Sequence, residues 1–146
     1  MRYWIVLVTA AALMFCDGCA KPPNQAAASQ LNPVLRIQSL PPADPHKFPD
    51  ARKMQDWKNP YLIIRVDGVA LLDTANNEQK LLTPDKLVEA LGELPASSWP
   101  YGRAVAVAEN STSASEDDKA QLRKNRALVA GTLESLQVVI NWVPSS

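Results

Sequence analysis

The sequence predicts an α+β fold in which a small sheet, a hairpin plus two further strands, carries two helices on one face. Three observations predict it: a hairpin pattern in "YLIIRVDGVALLD", two amphipathic stretches that begin with capping residues, and two apolar runs that alternate with them. The predicted order is ββαβαβ within residues 59–146. A stretch of that length supports one modest hydrophobic core.

The predicted hairpin pairs Tyr61 to Val66 with Val69 to Leu72. Asp67 and Gly68 stand between the two apolar runs, and this dipeptide tolerates the left-handed torsions of a tight turn. The sheet is therefore expected to start with two antiparallel strands.

Both predicted helices show a start signal followed by apolar residues at helical spacing. The first begins with Thr83 as N-cap and Pro84 at the first helical position. The second begins with Ser115, three residues before Asp118, which is the spacing of a capping box. The apolar faces comprise Leu87, Val88, Leu91 and Leu94 in the first helix, and Leu122, Val129, Leu133 and Leu136 in the second.

The two remaining strands are predicted from apolar runs on either side of the second helix. Arg103 to Glu109 alternates valine with alanine, which indicates a central strand with a helix packed close over the alanine side. Gln137 to Val143 closes the chain as a third main strand or an edge strand.

The first 19 residues resemble a targeting segment. Arg2 is followed by Tyr3 to Phe15, thirteen uncharged and mostly apolar residues. That length suits a signal peptide, whereas a membrane-spanning helix needs about 20 residues. Export is therefore predicted.

Residues 20–58 are predicted to form a proline-rich, disordered tether. Eight of the twelve prolines of the chain lie between Pro22 and Pro60, and proline interrupts both helices and central strands. Within this segment "VLRIQSL" is expected to add an edge strand if it is ordered. "DARKMQDWKN" is expected to form a helical turn or two, with Met54 and Trp57 packed inward.

Gly18-Cys19 follows the apolar run, and here the chain resembles a bacterial lipoprotein precursor, which is cut before a cysteine preceded by a small residue. The resemblance implies palmitate-type acylation of Cys19, with Cys16 as the alternative, and a membrane-anchored domain in the cell envelope facing the periplasm or the exterior. Asp17 departs from the usual motif. Ordinary cleavage after Ala20 and retention as an uncleaved anchor stay open.

Cys16 and Cys19 also have the C-x-x-C spacing of redox and metal sites. They end an apolar run and precede prolines, whereas a redox pair opens a helix in a folded unit. The chain has no other cysteine and a single histidine, so it lacks the ligands of a tetrahedral zinc shell. We predict no metal and no cofactor.

The element order from Tyr61 to Val143 is similar to that of the periplasmic domain of the ExbD and TolR transport proteins. This likeness is one of order alone. Those proteins carry an acidic residue inside their membrane helix for proton coupling, and Tyr3 to Cys16 contains none. The resemblance therefore implies at most a degenerate relative.

Charge and composition exclude several function classes. Fifteen basic and fifteen acidic residues cancel without a basic stripe, which argues against nucleic-acid binding. The chain offers no G-x-S-x-G elbow or phosphate-binding glycine loop, and His46 lies among prolines. We predict a non-catalytic interaction or binding module, with the membrane as one partner through its lipid and an envelope protein as another.

Two stretches are candidate sites. "SSWPYGR" offers Trp99, Tyr101 and Arg103 as a recognition patch, although a core plug that delivers the next strand is the favoured interpretation. Glu109 and the polar loop after it offer carboxylates for a cation or small ligand. A polar loop that ends in a capping box explains the same residues and is preferred.

Overall fold

The computed structural model describes residues 32–74, 78–110 and 115–144, which belong to one compact unit, Leu31–Ser146. The strands are β1 (Tyr61–Arg65), β2 (Gly68–Asp73), β3 (Glu78–Leu82), β4 (Ala104–Glu109) and β5 (Val139–Trp142). The helices are α1 (Pro33–Gln38), α2 (Leu87–Glu93) and α3 (Glu116–Ser135), with short 3-10 turns between elements. The predicted α+β class is confirmed.

The sheet is mixed, with strand order β3-β2-β1-β4-β5. β1, β2 and β3 pair antiparallel, whereas β1, β4 and β5 run parallel. The hairpin is present, but its loop is Val66 and Asp67, one residue earlier than predicted. Gly68 opens β2 at φ 144°, and a Cβ there would collide with the Leu82 carbonyl of β3.

β3 is a strand that the sequence did not predict. Glu78, Gln79 and Lys80 are exposed, and only Leu82 is buried. The strand exists because it pairs with β2 along five residues, so its backbone bonds replace the missing apolar pattern.

The three helices of the described residues lie on one face of the sheet. Alternate strand residues, among them Leu62, Ile64 and Val107, form this face together with apolar residues of α2 and α3. Of the predicted apolar faces, Leu87, Leu91, Leu122, Val129, Leu133 and Leu136 are buried, while Val88 and Leu94 are partly buried against the core. The capping prediction for α3 is confirmed, because Ser115 Oγ accepts a hydrogen bond from the Asp118 amide at 3.1 Å.

Thr83 precedes the 3-10 turn Pro84–Lys86 at the predicted position, but its side chain does not cap the helix as predicted. Thr83 makes no side-chain bond to the backbone of the 3-10 turn that leads into α2. Its hydroxyl instead hydrogen-bonds the Asp85 carboxylate and lowers the pKa of that group.

The alanine side of β4 faces aromatic rings, and the prediction of a helix over it is wrong. Ala104 and Ala106 pack against Trp57 and Tyr101, with Phe48 completing the ring cluster. Small residues are needed there because three large rings approach the sheet, while the valine side faces the helices.

The folded unit starts well before residue 59, where the predicted tether was expected to end. The segment predicted as an edge strand is helix α1, and its Ile37 is 1% exposed in the main core. The helical turns predicted around residues 51–56 are present, with Trp57 buried. Proline did not prevent packing, because Pro33 occupies the first turn of α1, where a missing N–H costs nothing.

Candidate functional site

The "SSWPYGR" turn is interior to the fold. Trp99 lies in the core beneath the helices, and Tyr101 packs in the aromatic cluster on the opposite face. Their exposed fractions are 3% and 9%. Arg103 Nη1 donates to Gln137 Oε1 at 3.3 Å instead of stacking on either ring. These positions match a plug that seals both faces at one end of the sheet, and they leave no aromatic patch for a partner.

A buried amide holds this turn to β1. Asn59 is fully buried; its Nδ2 donates to the carbonyls of Gly102 and Ala104 at 2.8 and 2.7 Å. Its Oδ1 accepts from the Tyr101 amide at 2.9 Å. All three bonds go to backbone, so Asn59 fixes the position of the turn relative to the start of β1.

Glu109 ends β4 as predicted, but its carboxylate is paired. Oε2 lies 3.4 Å from Nη1 of Arg126 on α3. Within residues 32–74, 78–110 and 115–144, no group of three His, Cys, Asp or Glu side chains could hold a metal ion. Loop residues 111–114, and likewise Cys16 and Cys19, lie outside the described residues.

Carboxylates also line a cavity elsewhere in the fold. A cavity of about 280 Å³ lies between the β2–β3 hairpin and the end of α2, lined by Asp73, Glu78 and Glu93. Asp73 accepts a hydrogen bond from Ser98 Oγ at 3.2 Å, and Lys80 Nζ lies 3.7 Å from Glu93. These contacts tie Asp73 and Glu93 to neighbouring elements.

The feature that stands out is the free edge of β5. The Val139 amide donates to the carbonyl of Arg103, just before β4, at 2.9 Å, and the Val143 amide donates to the carbonyl of Val107 in β4 at 2.8 Å. Along a strand, the backbone N–H and C=O groups of successive residues point alternately to its two sides. Because those of Val139 and Val143 point to β4, the N–H and C=O groups of Ile140 and Trp142 point away from the sheet. β5 is an outer strand, so no described strand receives these groups.

The two edges of the sheet differ in chemistry. β3 presents the exposed charged side chains of Glu78 and Lys80 beside an exposed Leu81, and charges on an edge strand protect it against pairing with another chain. β5 reads "VINW" and carries no charge. Val139 is 45% exposed and Trp142 is 42% exposed. An uncharged, partly apolar edge is the kind to which an extended chain adds.

A small cluster frames the carboxyl end of β5. The Arg126 guanidinium lies over the Trp142 ring, 4.4 Å from its centroid, while also pairing with Glu109. A cation–π contact at an exposed site contributes about 0.5–1 kcal/mol, so it orients the ring more than it stabilises the fold. Tryptophan and arginine are also the residues that dominate protein interfaces.

Sequence reasoning placed β5 but did not single out Trp142. The available signal was a strand of four residues without lysine or glutamate, ending in an aromatic residue before Pro144. What the sequence lacked was the strand order, which decides that β5 lies outermost.

No helix within residues 32–144 that the structure describes is long and apolar enough to cross a membrane. The similarity to lipoprotein precursors and to ExbD and TolR domains stays a prediction. Comparison of the chain with protein-family models, with curated proteins and with solved structures finds no match.

Proposed function

We propose that this protein is an envelope lipoprotein whose folded unit is a non-catalytic interaction module, and that it captures an extended segment of an envelope protein along β5. The observation that carries the proposal is the uncharged outer edge of β5, with Trp142 half-exposed beside it. Backbone bonds to the edge would supply affinity, and the ring would supply an anchor.

Capture of a segment along β5 needs no catalytic group. A nucleophile needs a base within hydrogen-bond reach, and the single histidine of the chain, His46, is exposed in a 3-10 turn. The carboxylate of Glu109 is held by Arg126. Recognition through a strand edge needs none of these groups.

An anchor at Cys19 would keep the module near a membrane. Twelve residues, 20–31, separate Cys19 from the first described residue. Even a fully extended chain of that length spans only roughly 40 Å. The start of the folded unit would therefore lie within about that distance of the membrane surface. Intact-mass measurement of the mature protein tests the anchor: an acylated chain starting at Cys19 is expected, and an unmodified chain starting at Lys21 contradicts it.

Photo-crosslinking in the native envelope tests the interaction. A benzoylphenylalanine replaces Val139 on the β5 edge or, as the matched control, Leu128 on α3, whose exposed fraction is similar at 48%. We expect a discrete adduct with another envelope protein from position 139 and none from position 128. Equal adducts from both positions, no adduct from 139, or an adduct of the protein with itself would contradict the proposal.

A second variant ties the adduct to the edge itself. Trp142→Pro removes the ring and the outward N–H but leaves the bonds that the amides of Val139 and Val143 donate to the carbonyls of Arg103 and Val107. The adduct from position 139 should then disappear while the protein stays folded by circular dichroism. Persistence of the adduct would show that the partner does not use the strand edge.

A further inference from the structure

The β5 edge sets the length of the strand it can accept. Only Ile140 and Trp142 turn both backbone groups outward. On one side the Val138 amide is already bonded to the Leu133 carbonyl at 2.9 Å, and on the other Pro144 has no N–H. An antiparallel segment satisfies all four outward groups with three residues, whereas a parallel segment needs five. The edge therefore suits a short antiparallel partner.

The directions of the side chains determine which residue types fit in these three partner residues, called the triplet below. Ile140 is partly buried against the core under the helices, and Trp142 projects to the same face because it lies two residues further along the strand. Partner residues paired with these two would project to that face as well, one of them beside the Trp142 ring. Apolar side chains fit there, and the middle residue is free to be polar.

Three basic residues lie along one side of helix α3, and two of them lie beyond the carboxyl end of β5. The helix runs antiparallel to β5, since it connects two parallel strands. Arg126 lies over Trp142, so Arg123 and Lys119, on the same side of the helix by their spacing, lie beyond the end of the strand.

Among the described residues, two of these three cations form ion pairs and the third, Arg123, does not. Lys119 pairs with Glu116 at 2.7 Å, and Arg126 pairs with Glu109. Arg123 is exposed and forms no ion pair within the part of the chain that the structure describes. A negative group that arrives with the partner would meet Arg123 first.

Resting on the proposed function, we infer that the captured segment carries a carboxylate about two residues before an apolar–any–apolar triplet. An antiparallel partner reaches Trp142 with the first residue of its triplet. The residues that precede the triplet therefore pass the end of β5, where Arg123 lies. The β5 edge and Arg123 together favour a segment in which the acidic residue precedes the apolar triplet in the sequence.

Selection from a displayed library of random twelve-residue peptides tests the inference. The full-length chain is the target, held in detergent micelles, and Trp142→Pro serves to identify the peptides that bind the edge. We expect the edge-dependent peptides to share the acid-then-triplet order. Arg123→Glu should weaken a synthetic peptide of that order about fivefold to tenfold at low salt, and high salt should shrink the difference.

Lys124→Glu is the matched control, because it makes the same charge change at the next residue, on another side of α3. Its affinity for the peptide should stay within about twofold of the parent. Edge-dependent peptides without a preceding acid, or equal weakening by Lys124→Glu, would overturn this inference and leave the proposed function standing. Recovery of no peptide that depends on Trp142 would overturn both.

Discussion

At the scale of the single residue, Trp99 fills the core while leaving its own polar atom unpaired. Its ring is 3% exposed, and its indole Nε1 has no hydrogen-bond partner among the described residues. We expect Trp99→Ala to lower the free energy of unfolding by about 3–5 kcal/mol. Trp99→Phe should cost much less, because it keeps most of the ring and removes the unpaired N–H. Urea denaturation measures both; an Ala variant as stable as the parent would place the ring outside the core.

Gln137 presents the opposite case, a strained residue with an exposed side chain. It follows α3 at φ 56°, the position where helices usually carry glycine. The left-handed conformation costs a residue with a Cβ about 1–2 kcal/mol, and the lost bond to Arg103 contributes about 1 kcal/mol or less. Gln137→Gly should therefore leave the protein equally stable or up to about 1 kcal/mol more stable. A lower melting temperature than that of the parent would show that the Arg103 bond matters more.

The sequence predicted the role of a side chain where the residues next to it in the chain determine that role. Aromatic residues in a proline-glycine turn predicted a plug, and Trp99 and Tyr101 are indeed interior. The exposure of Trp142 was not predictable in this way, because it depends on which strand lies beside β5 and which side is left open.

At the scale of the element, two glycines within helices differ in what surrounds them, so replacing each with alanine tests packing at one position and helix propensity at the other. A Cβ at Gly92 in α2 would lie 2.7 Å from Pro33 Cβ of α1, whereas a Cβ at Gly131 in α3 would meet nothing within 4 Å. Gly131→Ala should therefore stabilise the protein by up to about 1 kcal/mol, as expected for an exposed helix position.

Gly92→Ala should destabilise it, because α1 must move to admit the methyl group. Thermal unfolding compares the two variants, and proteolysis between residues 32 and 38 should speed up only in Gly92→Ala. If both variants gain stability equally, α1 does not pack on α2 as described.

Elements with their own local signal were the predictable ones. The capping box at Ser115 and the alternating valines of β4 each specify a structure within a few residues. β3 and α1 lack such a signal. β3 is a polar segment held by its bonds to β2, and α1 is a short helix held by contacts with α2. Tertiary partners decide both, so the sequence pattern alone does not.

At the scale of the whole molecule, the aromatic cluster makes residues 43–57 part of the fold. Trp57 covers the alanine side of β4, and its Nε1 donates to the Pro60 carbonyl at 3.2 Å. A chain starting at residue 32 should melt within a few degrees of the full-length protein. A chain starting at Asn59 loses Ile37 and Trp57 from the core and should lose at least about 3 kcal/mol. Equal melting of the two chains would return residues 32–58 to the tether.

The rings also give the molecule an optical property. Trp57 and Trp99 are buried, whereas Trp142 is half-exposed beside a cation, and Trp4 lies outside the described residues. In a chain that starts at residue 32 and so lacks Trp4, iodide should therefore quench the emission of Trp142 selectively, helped by the positive charge of Arg126. A chain that covers the β5 edge would shield that ring and shift its emission to the blue. Native tryptophan fluorescence would thus report occupancy of the edge without any attached dye.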